Sequence, residues 1–237
     1  MGGTDMSVLY GIGLGPGDPE LMTLKADRLI RAAAVLAYPA PDTGESFARR
    51  IAAGAIRADA VEIPIVIPMR AKRFPAQAVY DAAAAEIGGH LDGGRDVVVL
   101  CEGDPFFYGS FMYLHQRLST AHRVEIVPGV TSMTAVAGVA GRPLCARNEV
   151  LSVIPAPLGE AEIAARLEGS GAAVIMKVGR HLPKVRRVVE AAGLMRRAVY
   201  VSHASLPEER HVPLADAPDD APYFSMILIP GEDPYAA

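Results

Sequence analysis

The 237-residue sequence predicts an α/β protein: two α/β domains with a cleft between them, the N-terminal one on a mostly parallel sheet and the C-terminal one on a mixed sheet. Three observations predict this. Short apolar, β-branched runs alternate with helix-length stretches through the first part of the chain. The pattern halts at Gly141-Arg142-Pro143 and then restarts, which divides the chain into 1–143 and 144–237. Near the C-terminus, strand-like runs follow one another without helices between them, which calls for antiparallel pairing.

Taken in order, Val8 to Gly13 reads as a buried strand entering a Gly-rich turn. A helix is expected from Asp18, with Asp18 as N-cap and Pro19 at its first position. Val35 to Tyr38 is a second strand, closed by Pro39 and Pro41. A helix over Ala48 to Ile56 precedes the strand Val61 to Ile67, and Ala76 to Leu91 is a helix ended by Gly93-Gly94. Asp96 to Cys101 is the clearest strand, because its unbroken β-branched run suits a parallel strand covered on both faces. Phe106 to Leu118 resumes as helix, Val124 to Val127 is a short strand, and Pro128-Gly129 leads to a helix from Thr131. After the restart come strand Leu151 to Ile154, helix Glu160 to Leu167, strand Ala173 to Val178 and helix Leu182 to Ala192. Strands at Val199 to Ser202, His211 to Leu214 and Tyr223 to Ile229 complete the chain.

Composition narrows the function. Hydrophobic residues make up 51% and charged residues 21%, with no run long enough to span a membrane. The polar start lacks the features of a secretory signal, so a cytoplasmic protein is expected. A net charge of −4 argues against a general nucleic-acid surface. Cys101 and Cys145 form no C-x-x-C pair and are read as reduced and structural; the six histidines lack ligand spacing, and no bound metal is expected. Positive charge is clustered locally in Arg70, Lys72 and Arg73, and again from Arg180 and His181 through Lys184 to Arg186 and Arg187. Solvated loops are the plain reading, and a rim for a polyanionic small molecule the sharper one.

Three Gly/Pro-marked loops directly follow expected strands, where ligands of open α/β sheets collect. The first, Gly11 to Asp18, invites a dinucleotide reading, but the spacing fails. Counted from Gly11, Pro16 stands at the third glycine of G-x-G-x-x-G; counted from Gly13, Asp18 does. No Gly-Lys pair exists, which excludes a Walker A loop and leaves a dinucleotide-binding oxidoreductase as a distant alternative. Gly11 and Gly13 are also explicable as residues that merely allow a bend. In the second loop, Glu102 to Ser110, Asp104 could simply cap the following helix, or Gly103 could admit a ligand that Asp104 and the Phe107 main chain contact. In the third, Val127 to Thr134, Thr131 or Ser132 either caps a helix or holds a polar cofactor end.

Together these loops resemble the tetrapyrrole (corrin/porphyrin) methyltransferase family over essentially the whole chain. The resemblance rests on Gly-x-Gly-Pro-Gly-Asp at 13–18, Gly103-Asp104-Pro105, Pro128-Gly129-Val130-Thr131-Ser132, the strand ending Val174-Ile175-Met176-Lys177, and His203-Ala204-Ser205 with Arg210 downstream. Within the family, the stretches 101–118, 127–138 and 151–155 look like the enzymes of cobalamin biosynthesis that methylate precorrin-2 at carbon 20. The resemblance implies a homodimer, S-adenosyl-L-methionine as cofactor with S-adenosyl-L-homocysteine as its product, and a small-molecule tetrapyrrole substrate. Carried onto this chain, the implied cofactor contacts are Pro16, Glu102, Gly103, Asp104, Phe107, Thr131, Ser132, Met176 and Ala204. Ala204 departs from the family's usual glycine, so a main-chain contact there requires a backbone free of positive φ. Glu102 departs from a common Gly-Gly-Asp. Asp104 and Tyr108 are guesses for the proton acceptor, and the Arg180 to Arg187 cluster and Arg147 are candidate partners of the substrate carboxylates.

Overall fold

The computed structural model describes residues 7–67 and 75–231; Arg70, Lys72 and Arg73 lie outside the described residues. The chain forms two compact units, residues 1–131 and 132–237.

The first unit carries strands β1 (Val8–Gly13), β2 (Val35–Pro41), β3 (Val61–Ile67), β4 (Val97–Cys101) and β5 (Arg123–Val127), ordered β3-β2-β4-β1-β5. Every pairing is parallel. Helices α1 (Leu24–Ala32), α2 (Phe47–Ala52), α3 (Pro75–Asp92) and α4 (Phe111–Leu118) connect them. The β-branched β4 sits inside the sheet with all five residues buried. Its side chains alternate between two apolar layers: Val97, Val99 and Cys101 pack with Tyr80, Ile87 and Leu114, while Val98 and Leu100 pack with Ile30, Ala48 and Ile51.

Three elements differ from their expected bounds for identifiable reasons. The helix expected from Asp18 divides in two. Asp18 caps only a 3-10 turn, Pro19–Leu21; Met22 is extended, and Thr23 starts α1 by accepting the Ala26 N–H at 3.1 Å. Strand β2 runs on through Pro39 and Pro41. Its pairing to β4 covers only Leu36 and Ala37, so both prolines fall where the strand has a neighbour on one side alone. Helix α4 starts at Phe111 rather than Phe106 because residues 104–109 form a turn held by the Asp104 side chain.

The second unit holds helix α5 (Ser132–Ala140), strand β6 (Leu151–Pro155), helix α6 (Glu160–Leu167), strand β7 (Ala172–Met176), helix α7 (Leu182–Ala191), and strands β8 (Val199–Ser202), β9 (Arg210–Pro213) and β10 (Ser225–Ile229). Its sheet, ordered β6-β7-β10-β8-β9, is mixed: β6 and β7 are parallel, and β10 inserts antiparallel between β7 and β8. Tyr200, Ile227 and Ile175 face α6 and α7, while Val201, Leu228 and Val174 face α5. The expected division at residue 143 counts α5 with the first domain, whereas α5 packs against β8 and β10.

Candidate functional site

The strand order places β1 between β4 and β5, so the three Gly-marked loops emerge side by side at one edge of the first unit. Backbone bonds stitch the first two together: Gly103 N–H donates to Gly15 O at 2.8 Å, and Gly15 N–H returns to Gly103 O at 3.2 Å. Glycine is required where these loops touch. A Cβ on Gly13 would lie 2.6 Å from Gly103 O and from Gly129 Cα; one on Gly129 would lie 2.0 Å from Gly103 O. Gly103 is the opposite case, with φ of 65° and open space where its Cβ would be. The Gly103 backbone is therefore bare on that side. Gly11 is not part of a bend at all. It lies within β1, where a Cβ would meet the Phe111 ring at 2.5 Å.

The Asp104 carboxylate accepts three main-chain donors. Its Oδ1 accepts the N–H of Phe106 at 2.9 Å and of Phe107 at 3.1 Å, and its Oδ2 accepts the N–H of Gly129 at 3.0 Å. Three of its roughly four acceptor positions are thus taken by the main chain. Glu102 lies against the start of α2. Burial pushes its carboxyl above the usual range, opposed by hydrogen bonds from its own N–H and that of Ala48. Pro16 and Phe107 are half-buried in the first and second loops, and Thr131 ends the first unit.

In the second unit, inserting β10 leaves the carboxyl ends of β7 and β8 at one edge. Met176 ends β7, Ala204 follows β8, and both join one apolar cluster with Met133, Val136 and Met226. Ser132 opens α5. Ala204 does not have positive φ; its neighbours His203 (50°) and Ser205 (69°) do, as does Lys177 (58°) after Met176. The side chain at 204 therefore costs no backbone strain. Sequence reasoning passed over these left-handed residues because none is a glycine.

Three of the candidate basic partners already hold partners within the chain. Arg186 Nη2 donates to Ala217 O at 2.6 Å and Pro218 O at 3.2 Å, and Arg187 pairs with Glu160. Lys184 donates to Leu158 O, and burial with the nearby charges of Lys184 and Arg180 lowers the His181 pKa, which disfavours its cationic form. Of the aromatic residues between 106 and 113, Phe111 is core, whereas Phe106, Tyr108 and Tyr113 are exposed. Cys101 is buried with its thiol pushed up by that burial, and Cys145 is exposed; neither is paired. Among the described residues, no group of three His, Cys, Asp or Glu could hold a metal ion, and no helix is long and apolar enough to cross a membrane.

Comparison with known proteins settles the family. Residues 8–218 match the Tetrapyrrole (Corrin/Porphyrin) Methylases. The chain belongs to this family. Among these methylases, a precorrin-2 C(20)-methyltransferase of Sinorhizobium sp is 43% identical over 98% of each chain. A cobalt-precorrin-2 C(20)-methyltransferase of Salmonella typhimurium is 33% identical over 96% of this chain and 98% of its own. The fold matches a uroporphyrin-III C-methyl transferase from Thermus thermophilus, solved with S-adenosylhomocysteine, at a TM-score of 0.69 and 22% identity over 94% and 92% of the two chains. A methylase of this family is a transferase, not a dinucleotide-binding oxidoreductase.

Proposed function

We propose that this methylase transfers a methyl group from S-adenosyl-L-methionine to carbon 20 of precorrin-2, giving precorrin-3A in cobalamin biosynthesis. The observation that carries this reading is the 43% identity to a precorrin-2 C(20)-methyltransferase along 98% of both chains. A second reading, action on the cobalt-containing form, draws on the Salmonella relative at lower identity. The working form is read as a cytoplasmic homodimer.

The residues of the first unit fit the donor. Gly103 offers bare backbone into open space, flanked by Pro16, Glu102, Asp104, Phe107 and Thr131. Ser132, Met176 and Ala204 are the proposed contacts from the second unit, and the absence of positive φ at Ala204 supports a main-chain contact there. When bound, the sulfonium supplies an activated methyl group that needs little acid–base assistance. The chain's own task is then alignment, holding donor and acceptor carbon in line at near-attack distance. Rigid, mutually bonded loops suit that task, because a loose frame would give back the entropic advantage.

The test is incubation of the enzyme with precorrin-2 and S-adenosylmethionine carrying a 13C methyl group, followed by NMR of the product. Label at carbon 20 is expected. Label at another carbon overturns the position while leaving the family, and turnover confined to the cobalt form selects the second reading.

A further inference from the structure

The loops that follow β4 and β5 belong to strands that do not pair with each other, since β1 lies between them. One side chain nevertheless bonds both. Asp104 holds its own loop in a tight turn through the N–H groups of Phe106 and Phe107, and reaches past the end of β1 to the N–H of Gly129. Three donors converge on two oxygens, an arrangement that only an acceptor-only group can satisfy. An amide of the same shape would have to turn its NH2 toward one of the donors. The Gly129 contact also lies where the main chains are closest, so the bond and the close approach reinforce each other.

We propose that Asp104 is a positioning residue: its carboxylate fixes the spacing of the β4 and β5 loops, and the ligand is met by the main chain those loops present rather than by the carboxylate. The claim that this spacing serves the methyl donor rests on the function proposed above. The bridge itself does not.

The experiment compares wild type with Asp104→Asn, which retains an oxygen for the Phe106 and Phe107 N–H groups but not for Gly129. Asp104→Ser, too short to reach Gly129, is the second variant should the first fail to fold. Amide hydrogen exchange of the free protein by NMR reads the bridge directly. Exchange at Gly129 should accelerate at least ~10-fold in the variant, the equivalent of ~1.4 kcal/mol at 25 °C and close to the lower end of what one hydrogen bond to a charged group contributes. Calorimetry with S-adenosylhomocysteine, 5′-methylthioadenosine and adenosine should show all three weakened by a similar factor, because spacing serves the common nucleoside. The KM for the donor should rise while that for the tetrapyrrole holds. Restoring both oxygens in Asp104→Glu should recover part of the Gly129 protection.

Unchanged exchange at Gly129 refutes the bridge. A loss confined to S-adenosylhomocysteine refutes the positioning role in favour of direct contact with the amino-acid part of the donor. If none of the three nucleosides binds the wild type, the proposed function fails, and exchange at Gly129 still decides the bridge.

Discussion

Replacing Gly129 by alanine should damage the first unit far more than the same replacement at Gly103, although both glycines stand in the same group of loops. At Gly129 the new Cβ would lie 2.0 Å from Gly103 O, 2.8 Å from Gly13 Cα and 2.9 Å from Gly13 C. All three obstacles are main chain, so no rotamer change relieves them. Non-bonded heavy atoms settle near ~3.5 Å, which requires the loops to part by about 1.5 Å. That movement also carries the Gly129 N–H, now 3.0 Å from Asp104 Oδ2, out of hydrogen-bonding range. Overpacking of this kind costs about 1–3 kcal/mol and loss of a bond to a charged acceptor about 1.5–3 kcal/mol. A total of about 3–5 kcal/mol corresponds to a melting point lower by on the order of 10 °C.

At Gly103 the Cβ meets nothing within 4 Å. The cost is confined to placing alanine at a φ of 65°, about 1–2 kcal/mol, or a few degrees of melting temperature. Its methyl group would instead occupy the open side assigned to the ligand, and affinity for S-adenosylhomocysteine should fall at least ~10-fold, about 1.4 kcal/mol. Scanning calorimetry and isothermal titration measure the two quantities. A Gly129→Ala protein that melts with the wild type, or a Gly103→Ala protein that binds the ligand undiminished, would refute the division between packed and open glycines.

Three further predictions follow from the same structure. Burial holds the Glu102 carboxyl above its usual pKa, so the contribution of this group to folding stability is fully present below the ordinary carboxylate range and is lost as pH rises through the folded-state value. Glu102→Gln, which can still accept the Ala48 N–H, should flatten that decline and be the more stable protein at pH 7; an unchanged urea midpoint profile from pH 5 to 8 would contradict it. Arg186→Met should cost about 1–3 kcal/mol by stranding the carbonyls of Ala217 and Pro218, with the tetrapyrrole KM unmoved; a raised KM would return Arg186 to the substrate site. The Tyr200 hydroxyl is fully buried without a hydrogen-bond partner among the described residues, so Tyr200→Phe should match or exceed wild-type stability by up to ~1 kcal/mol. A loss above ~1 kcal/mol on thermal unfolding would reveal a partner for it.

Much of the fold was legible because its signals are local. The bounds of Val61–Ile67, Glu160–Leu167 and Val199–Ser202 follow directly from residue patterning. The parallel character of the first sheet is written in the β-branched run of β4, and the mixed character of the second in the strands that close the chain. Errors arose where two local signals competed. Asp18-Pro19 and Thr23 are both good helix starts, and the chain uses one for a 3-10 turn and the other for α1. The candidate loops were also legible as loops, but what each glycine does in them was not. Gly11 makes room for a ring, Gly13 and Gly129 for other backbone, and Gly103 for open space. The letter is the same in every case, and only the neighbour brought there by strand order distinguishes them.

The non-glycine residues in left-handed conformation carry the argument one step further. Lys177, His203 and Ser205 follow β7 and β8, and Tyr108 lies in the loop after β4. Each costs of order 1–2 kcal/mol that a glycine would avoid. The surroundings enforce the geometry: His203 N–H donates to Phe224 O at 2.8 Å, Leu206 N–H to His203 O at 2.9 Å, and Ser205 N–H to Glu209 Oε2 at 2.7 Å. Backbone stability alone would therefore favour glycine at these positions, and at His203 and Ser205 the strain is held by bonds that over-determine the turn. Ala204 sits between two such residues without sharing their conformation, so the turn places its left-handed residues at 203 and 205 and leaves 204 free of that strain.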